Sequence, residues 1–330
     1  MAEQKIEDQE IGNKKTREER LQQFANHDSD HFKTNALKLI NAMTELCKGN
    51  TSNKGLLAEM LHSIFFLGLI HEKKEKNTLK KDEIKPKDIF SKCPELMEKL
   101  QGEHSDAFTA YNKKLPKRTP FSCFLDQVVS NIGEENEDAI KKDLSYRVKN
   151  MKLMKKMNFI GTCICISQKN LSSGPKTVRY YGASMSCNGK KAGQIMVAVS
   201  CLRTWHDGVS NAVMTYKPDK TKRENFDGTM KLPESVRCQA FNVWRGENMD
   251  PCKSCVALFG LNEPTQPSEV KSWPYGNCAE AESLSKFLFD NDKEIPLVDL
   301  EREQVREEVK AHLVENLNGS GFILDLPYYG

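Results

Sequence analysis

Apolar positions recur at three- and four-residue spacing through the first half of the chain and give way to short continuous runs in the second. Ala36, Leu39, Ile40, Met43 and Leu46 mark one face of a helix that Gly49 ends. A second helix is expected over 56–72, followed by a lysine-rich polar loop over 73–87. Pro94 opens a short helix. Thr119 and Pro120 form an N-cap and first-turn pair for a helix reaching 129–133. Residues 134–157 predict a long helix whose acidic start and basic end suit the helix dipole. Residues 1–22 lack periodic apolar positions and are expected to form a disordered polar tail.

The period changes at Phe159. Residues 159–166 predict a buried strand, and 177–187 with 192–202 flank Asn188-Gly189 as the arms of a β-hairpin would. Residues 209–216 fit a strand or a short helix, 217–228 a loop and 237–244 a strand. Helices are expected over 251–261, 278–289 and 300–317, then a final short strand over 322–326. The resulting expectation is an α+β protein: a tail (1–22), a helical part (23–158) and an α/β domain (159–330).

At 330 residues, 38% hydrophobic and 29% charged, the chain can bury a substantial core. The most apolar stretch, 56–70, is short and interrupted by Glu59 and His62, so no membrane association is expected. The N-terminus shows no apolar leader, and the 11 cysteines are an odd number, which suits a reducing intracellular compartment, cytoplasmic or nuclear. Cys47, Cys123, Cys163 and Cys165 fit the role of small buried hydrophobes. Residues 144–206 hold eleven Lys and Arg and no acidic residue. That asymmetry suits a nucleotide or nucleic-acid partner, and equally a solvated helix face beside strands. The helical part would bind a protein partner that the sequence does not specify.

Cysteines with distinctive chemistry lie near the end. In Asp250-Pro251-Cys252-Lys253-Ser254-Cys255, Asp250 can cap a helix and Pro251 can occupy its first position. Cys252 and Cys255 then share one face of the first turn, where unpaired N–H groups favour thiolate, the form that binds zinc. In Gly276-Asn277-Cys278-Ala279-Glu280, Asn277 caps and Cys278 begins a second helix, with Glu280 in the same turn. Three thiolates leave one position open on a tetrahedral zinc, and a carboxylate that is not a ligand can move protons.

Cys278-Ala279-Glu280 resembles the C-A-E motif of the zinc-dependent cytidine deaminase-like superfamily, and Pro251-Cys252-Lys253-Ser254-Cys255 resembles its P-C-x-x-C motif. The resemblance implies a mixed sheet flanked by helices, zinc held by Cys252, Cys255 and Cys278, and Glu280 as general acid and base. The two motifs stand in the reverse of the family's order, and no strand is legible in the 22 residues between Cys255 and Cys278. Three other readings stay open. The cysteines could be a redox pair, a structural zinc site completed by Cys238 or His206, or buried thiols without metal. Trp273 and Tyr275 are the first choice for a pocket wall. Two functional classes remain: a hydrolytic deaminase of a cytosine- or adenine-type base, or a non-enzymatic interaction protein with a structural-zinc or metal-free domain.

Overall fold

The computed structural model describes residues 17–48, 54–75, 78–154, 159–170, 178–187, 189–214, 230–262, 273–291 and 302–318. Its first half is helical. Helix α1 (Arg17–Cys47) begins inside the stretch expected to be a polar tail. From Phe32 to Leu46 it buries one face at helical spacing against α2 (Lys54–Leu69), whose residues are buried nearly all round. The expected loop after α2 is instead an antiparallel hairpin, β1 (Glu72–Glu75) and β2 (Thr78–Lys81), and then a short helix, α3 (Pro86–Ile89). Strand β2 is exposed throughout, so no apolar alternation announces it in the sequence.

Helices α4 (Pro94–Glu103), α5 (Ser105–Ala110) and α6 (Pro120–Ile132) come next. Thr119 caps α6 as expected, its hydroxyl accepting from the Ser122 N–H at 3.4 Å. Helix α7 spans Glu137–Asn150, shorter than the 134–157 expected, and residues 155–158 lie outside the described set.

The second half adds β3 (Cys163–Lys169) and β4 (Tyr180–Ala183), then α8 (Lys190–Val199), which widens into a π-helical turn over Ser200–Thr204. Helix α9 (Asp207–Met214), β5 (Val236–Asn242), β6 (Asn248–Met249), α10 (Lys253–Phe259), α11 (Ala279–Asn291) and α12 (Arg302–Leu317) complete it. The chain is therefore α+β. Two further expectations need correcting, and two fall outside the described residues. The hairpin around Asn188-Gly189 does not form, because its second arm is α8; Ala192, Ile195, Met196 and Val199 bury one helical face. The sheet, in order β4-β3-β5-β6, is antiparallel at every junction rather than mixed. The loop at 217–228 and the strand at 322–326 lie outside the described residues.

The register sorts the sheet's side chains onto two faces. Ile164, Ile166, Tyr181 and Phe241 share one face. It meets α7 and the turn before it: the Lys141 ammonium sits 3.4 Å from the Phe241 ring centroid, and the Tyr181 hydroxyl donates to the Glu134 carbonyl at 2.9 Å. Cys163, Cys165, Ser167, Gly182, Ala240 and Cys238 share the other face, which meets α11. The Ser167 and Ser283 hydroxyls are 2.9 Å apart, and the Tyr180 ring stands edge-on to Phe287. A Cβ at Gly182 would run into the backbone of Ser283 and Ala279, so only glycine lets α11 approach this closely. Strand β4 lies at the sheet edge, where α11 side chains occupy its free backbone groups. Glu282 accepts from the Ala183 N–H at 3.0 Å, and Lys286 donates to the Tyr181 carbonyl at 2.9 Å. One apolar core runs from Phe32 to Leu317 and joins both halves. Among the described residues no helix is long and apolar enough to cross a membrane.

Candidate metal centre

Helices α10 and α11 both start at the same place, each preceded by a cysteine. Cys252 is the N-cap of α10, with extended backbone (φ −73, ψ 161), and its carbonyl accepts the first helical bond from Val256 at 3.0 Å. The sequence places the cap at Asp250. With the start moved two residues on, Cys252 takes the capping position and its sulfur meets the N–H groups of Cys255 and Ser254. Cys278 stands immediately before α11 and accepts from the Ala281 N–H at 3.3 Å, so the start expected at Cys278 is Ala279.

The loop carrying Cys278 is held on three sides. The Ser254 hydroxyl of α10 donates to the Trp273 carbonyl, Asn277 N–H donates to the Pro274 carbonyl at 3.2 Å, and Met185 N–H donates to the Asn277 carbonyl at 2.8 Å. Gly276 makes the turn with φ +78, in the left-handed region. A Cβ there would stand 2.7 Å from Val197 and 3.1 Å from Val213.

These constraints bring three sulfurs together. Cys252, Cys255 and Cys278 present Sγ atoms that all lie within 4.8 Å of one another, with Cys252 and Cys278 at 3.4 Å. Four sulfur-type ligands at the usual zinc distance would stand about 3.8 Å apart, so the donor set fits such an ion with small side-chain adjustments. Hydrogen bonds from the Cys255 and Cys278 thiols, opposed by burial and assisted by the helix-start N–H groups, hold the Cys252 thiol down at about 2. The same bonds to Cys252, followed by burial, push Cys255 and Cys278 up. Three hydrogen-bonded sulfurs around a Cys252 biased toward thiolate are a soft donor set suited to a thiophilic cation.

Glu280 is 4% exposed and touches the Cys255 thiol. Burial, reinforced by the charge on Cys252, pushes its carboxyl up to about 7. It is not among the residues that could jointly hold the ion. Cys238 and His206 do not complete the set either. The Cys238 sulfur lies 3.5 Å from that of Cys165, and the His206 Nδ1 accepts from the Gly208 N–H at 3.2 Å. The three cysteines and the glutamate singled out in the sequence therefore meet at one point. Of the expected pocket wall, Tyr275 packs on the core, whereas the Trp273 side chain is 53% exposed.

Gly276, Ser283 and the sulfur-bearing face of β3 and β5 do not stand out in the sequence as parts of a site. The i, i+2 spacing of Cys163 and Cys165 is the one available signal, since it puts both on the same strand face. The basic stretch over 144–206 is partly spent on internal ion pairs: Arg147 with Asp143 at 2.5 Å, Lys191 with Glu72 at 3.0 Å and Arg179 with Glu137 at 3.5 Å. Compared with protein-family models, curated proteins and solved structures, the chain matches none.

Proposed function

We propose that this chain is a zinc-dependent hydrolytic deaminase acting on a cytosine- or adenine-type base, in a nucleotide or a nucleic acid. The observation that carries the reading is the meeting of three sulfurs with a buried, non-ligating carboxyl at two helix starts. Cys252, Cys255 and Cys278 hold the metal, and among the described residues no fourth donor closes the set, as a catalytic rather than a structural site requires. Zinc, when bound, supplies Lewis acidity and allows water to act as a nucleophile near neutral pH.

The chain's own contribution is proton management. Hydrolysis replaces an exocyclic amine on the ring carbon with oxygen: water adds, one C–N bond breaks and ammonia leaves. The Glu280 carboxylate takes the proton from the attacking water and returns it to the departing nitrogen. Its burial serves this exchange, because a carboxyl pushed up to about 7 holds and releases a proton near neutrality. Gly276 and Gly182 act by position, setting where Cys278 and the first turn of α11 stand.

The test is purification under reducing conditions with metal analysis, followed by assay on cytidine, adenosine and single-stranded oligonucleotides. About one zinc per chain is expected. Glu280→Ala should keep the zinc and lose deamination by about 10²-fold or more. A properly reduced protein without zinc, or a Glu280→Ala variant with full activity, would sink the reading.

A further inference from the structure

The sheet face beside Glu280 carries more sulfur than the metal site uses. Cys165 on β3 faces Ala240 across the ladder, and Cys238 on β5 faces Ser167, so the two cysteines are diagonal neighbours on one face. Their sulfurs are 3.5 Å apart. Cys165 is fully buried, while Cys238 is half-buried and so the more exposed of the two. We propose that Cys165 and Cys238 are an oxidisable dithiol that a hydroperoxide closes to a disulfide.

The chemistry proceeds in two steps. The Cys238 sulfur attacks the peroxide O–O bond, giving a sulfenic acid and, from hydrogen peroxide, one water. The Cys165 sulfur then attacks the Cys238 sulfur and loses its proton as the S–O bond breaks, releasing a second water. Two thiols are oxidised by two electrons and one peroxide is reduced. Cys165 is fully buried and so shielded from the peroxide, which leaves it as the resolving sulfur, held 3.5 Å from that of Cys238. Diagonal neighbours stand about 7–8 Å apart at the backbone, wider than the usual disulfide span, so closing the 3.5 Å between the sulfurs requires a local shift of the two strands.

Closure also reaches the candidate metal centre. The Cys165 sulfur is hydrogen-bonded to Ser283, and the Ser283 hydroxyl donates to the Glu280 carbonyl at 3.2 Å. Oxidation changes the sulfur that Ser283 contacts and shifts β3 against β5 beneath the first turn of α11. This link to Glu280 rests on the proposed function, whereas the disulfide itself does not.

The experiment uses the full chain, with and without added zinc. It is titrated with hydrogen peroxide, alkylated, digested and mapped by mass spectrometry. The expected product joins the Cys165 and Cys238 peptides with a mass lower by two hydrogens, in both preparations, and dithiothreitol reverses it. Zinc should suppress only the competing Cys252–Cys278 link, whose sulfurs are 3.4 Å apart. Cys238→Ser should lose the Cys165 link, and any deamination measured on it should resist peroxide. Cys165 and Cys238 recovered unlinked after complete oxidation would overturn the proposal. Missing zinc with the link present would instead count against the deaminase reading alone.

Discussion

Gly276 determines where Cys278 can stand. Its positive φ and the 2.7 Å approach of Val197 to a would-be Cβ leave no room for a side chain. Gly276→Ala is expected to cost about 1–3 kcal/mol through strain and overpacking. It should also lower zinc content, because the loop that moves carries a ligand. Urea unfolding and metal analysis on the same preparation test both effects, and an unchanged zinc content would argue against the loop's positioning role. At this scale the sequence is most legible for Cys252, Cys255, Cys278 and Glu280, since thiol and carboxyl chemistry belongs to the residue itself. Gly276 and Ser283 are silent because their roles depend on what packs against them: Val197 and Val213 in one case, Ser167 and Cys165 in the other.

At the scale of elements, termini carry much of the organisation. Thr119 satisfies one orphan donor at the start of α6, and Thr119→Ala should lower stability by about 1 kcal/mol. A chemical-denaturation midpoint unchanged from the parent would show that the 3.4 Å contact contributes nothing. Caps such as Thr119-Pro120 are legible because the signal is local. The shift of the α10 cap from Asp250 to Cys252 is not, since either residue can accept from a helix-start N–H. Asn188-Gly189 misleads for a related reason. A two-residue turn signal carries no information about the segment after it, and 192–199 satisfies a helical period that buries four side chains. The hairpin β1–β2 is hidden in the opposite way, as backbone pairing without an apolar face leaves no pattern to find.

The whole molecule depends on contacts that bridge distant parts of the chain, and strand order is illegible for that reason. Nothing local says that β3 pairs with both β4 and β5. The Arg237 guanidinium forks onto Glu137 at 2.7 and 2.9 Å, tying β5 to α7. Burial alone would raise the Glu137 carboxyl, but hydrogen bonds from Arg237 and Lys141 outweigh it and hold the group at about 2. A folded-state value below the unfolded one of 4.5 contributes stability that is fully present above pH 4.5 and is lost as pH falls toward 2. After allowance for solvent screening this is about 1–2 kcal/mol. His62 acts in a higher window. Burial lowers its imidazole from 6.5 to about 4, so its contribution is intact above pH 6.5 and fades as pH falls to 4. Glu280 runs the other way: raised from 4.5 to about 7, it adds stability as pH falls through 7 and offsets His62, so unfolding midpoints should decline clearly only below pH 4.5. Glu137→Gln should flatten that decline, and an unaltered one would refute the assignment.

The ionic plug along β4 has a further bearing, on how this protein meets copies of itself. An open strand edge is a template for fibrils, yet here a neighbouring strand would have to evict Glu282 from the Ala183 amide and Lys286 from the Tyr181 carbonyl before it could pair. Charged side chains thus act as gatekeepers against templated growth. Glu282 is buried, which opposes its charge, but Lys286 and the hydrogen bonds from Ser122 and Ala183 lower its pKa overall. The gate should hold through mildly acidic conditions and open only in strong acid, where this edge becomes the expected seed of aggregation.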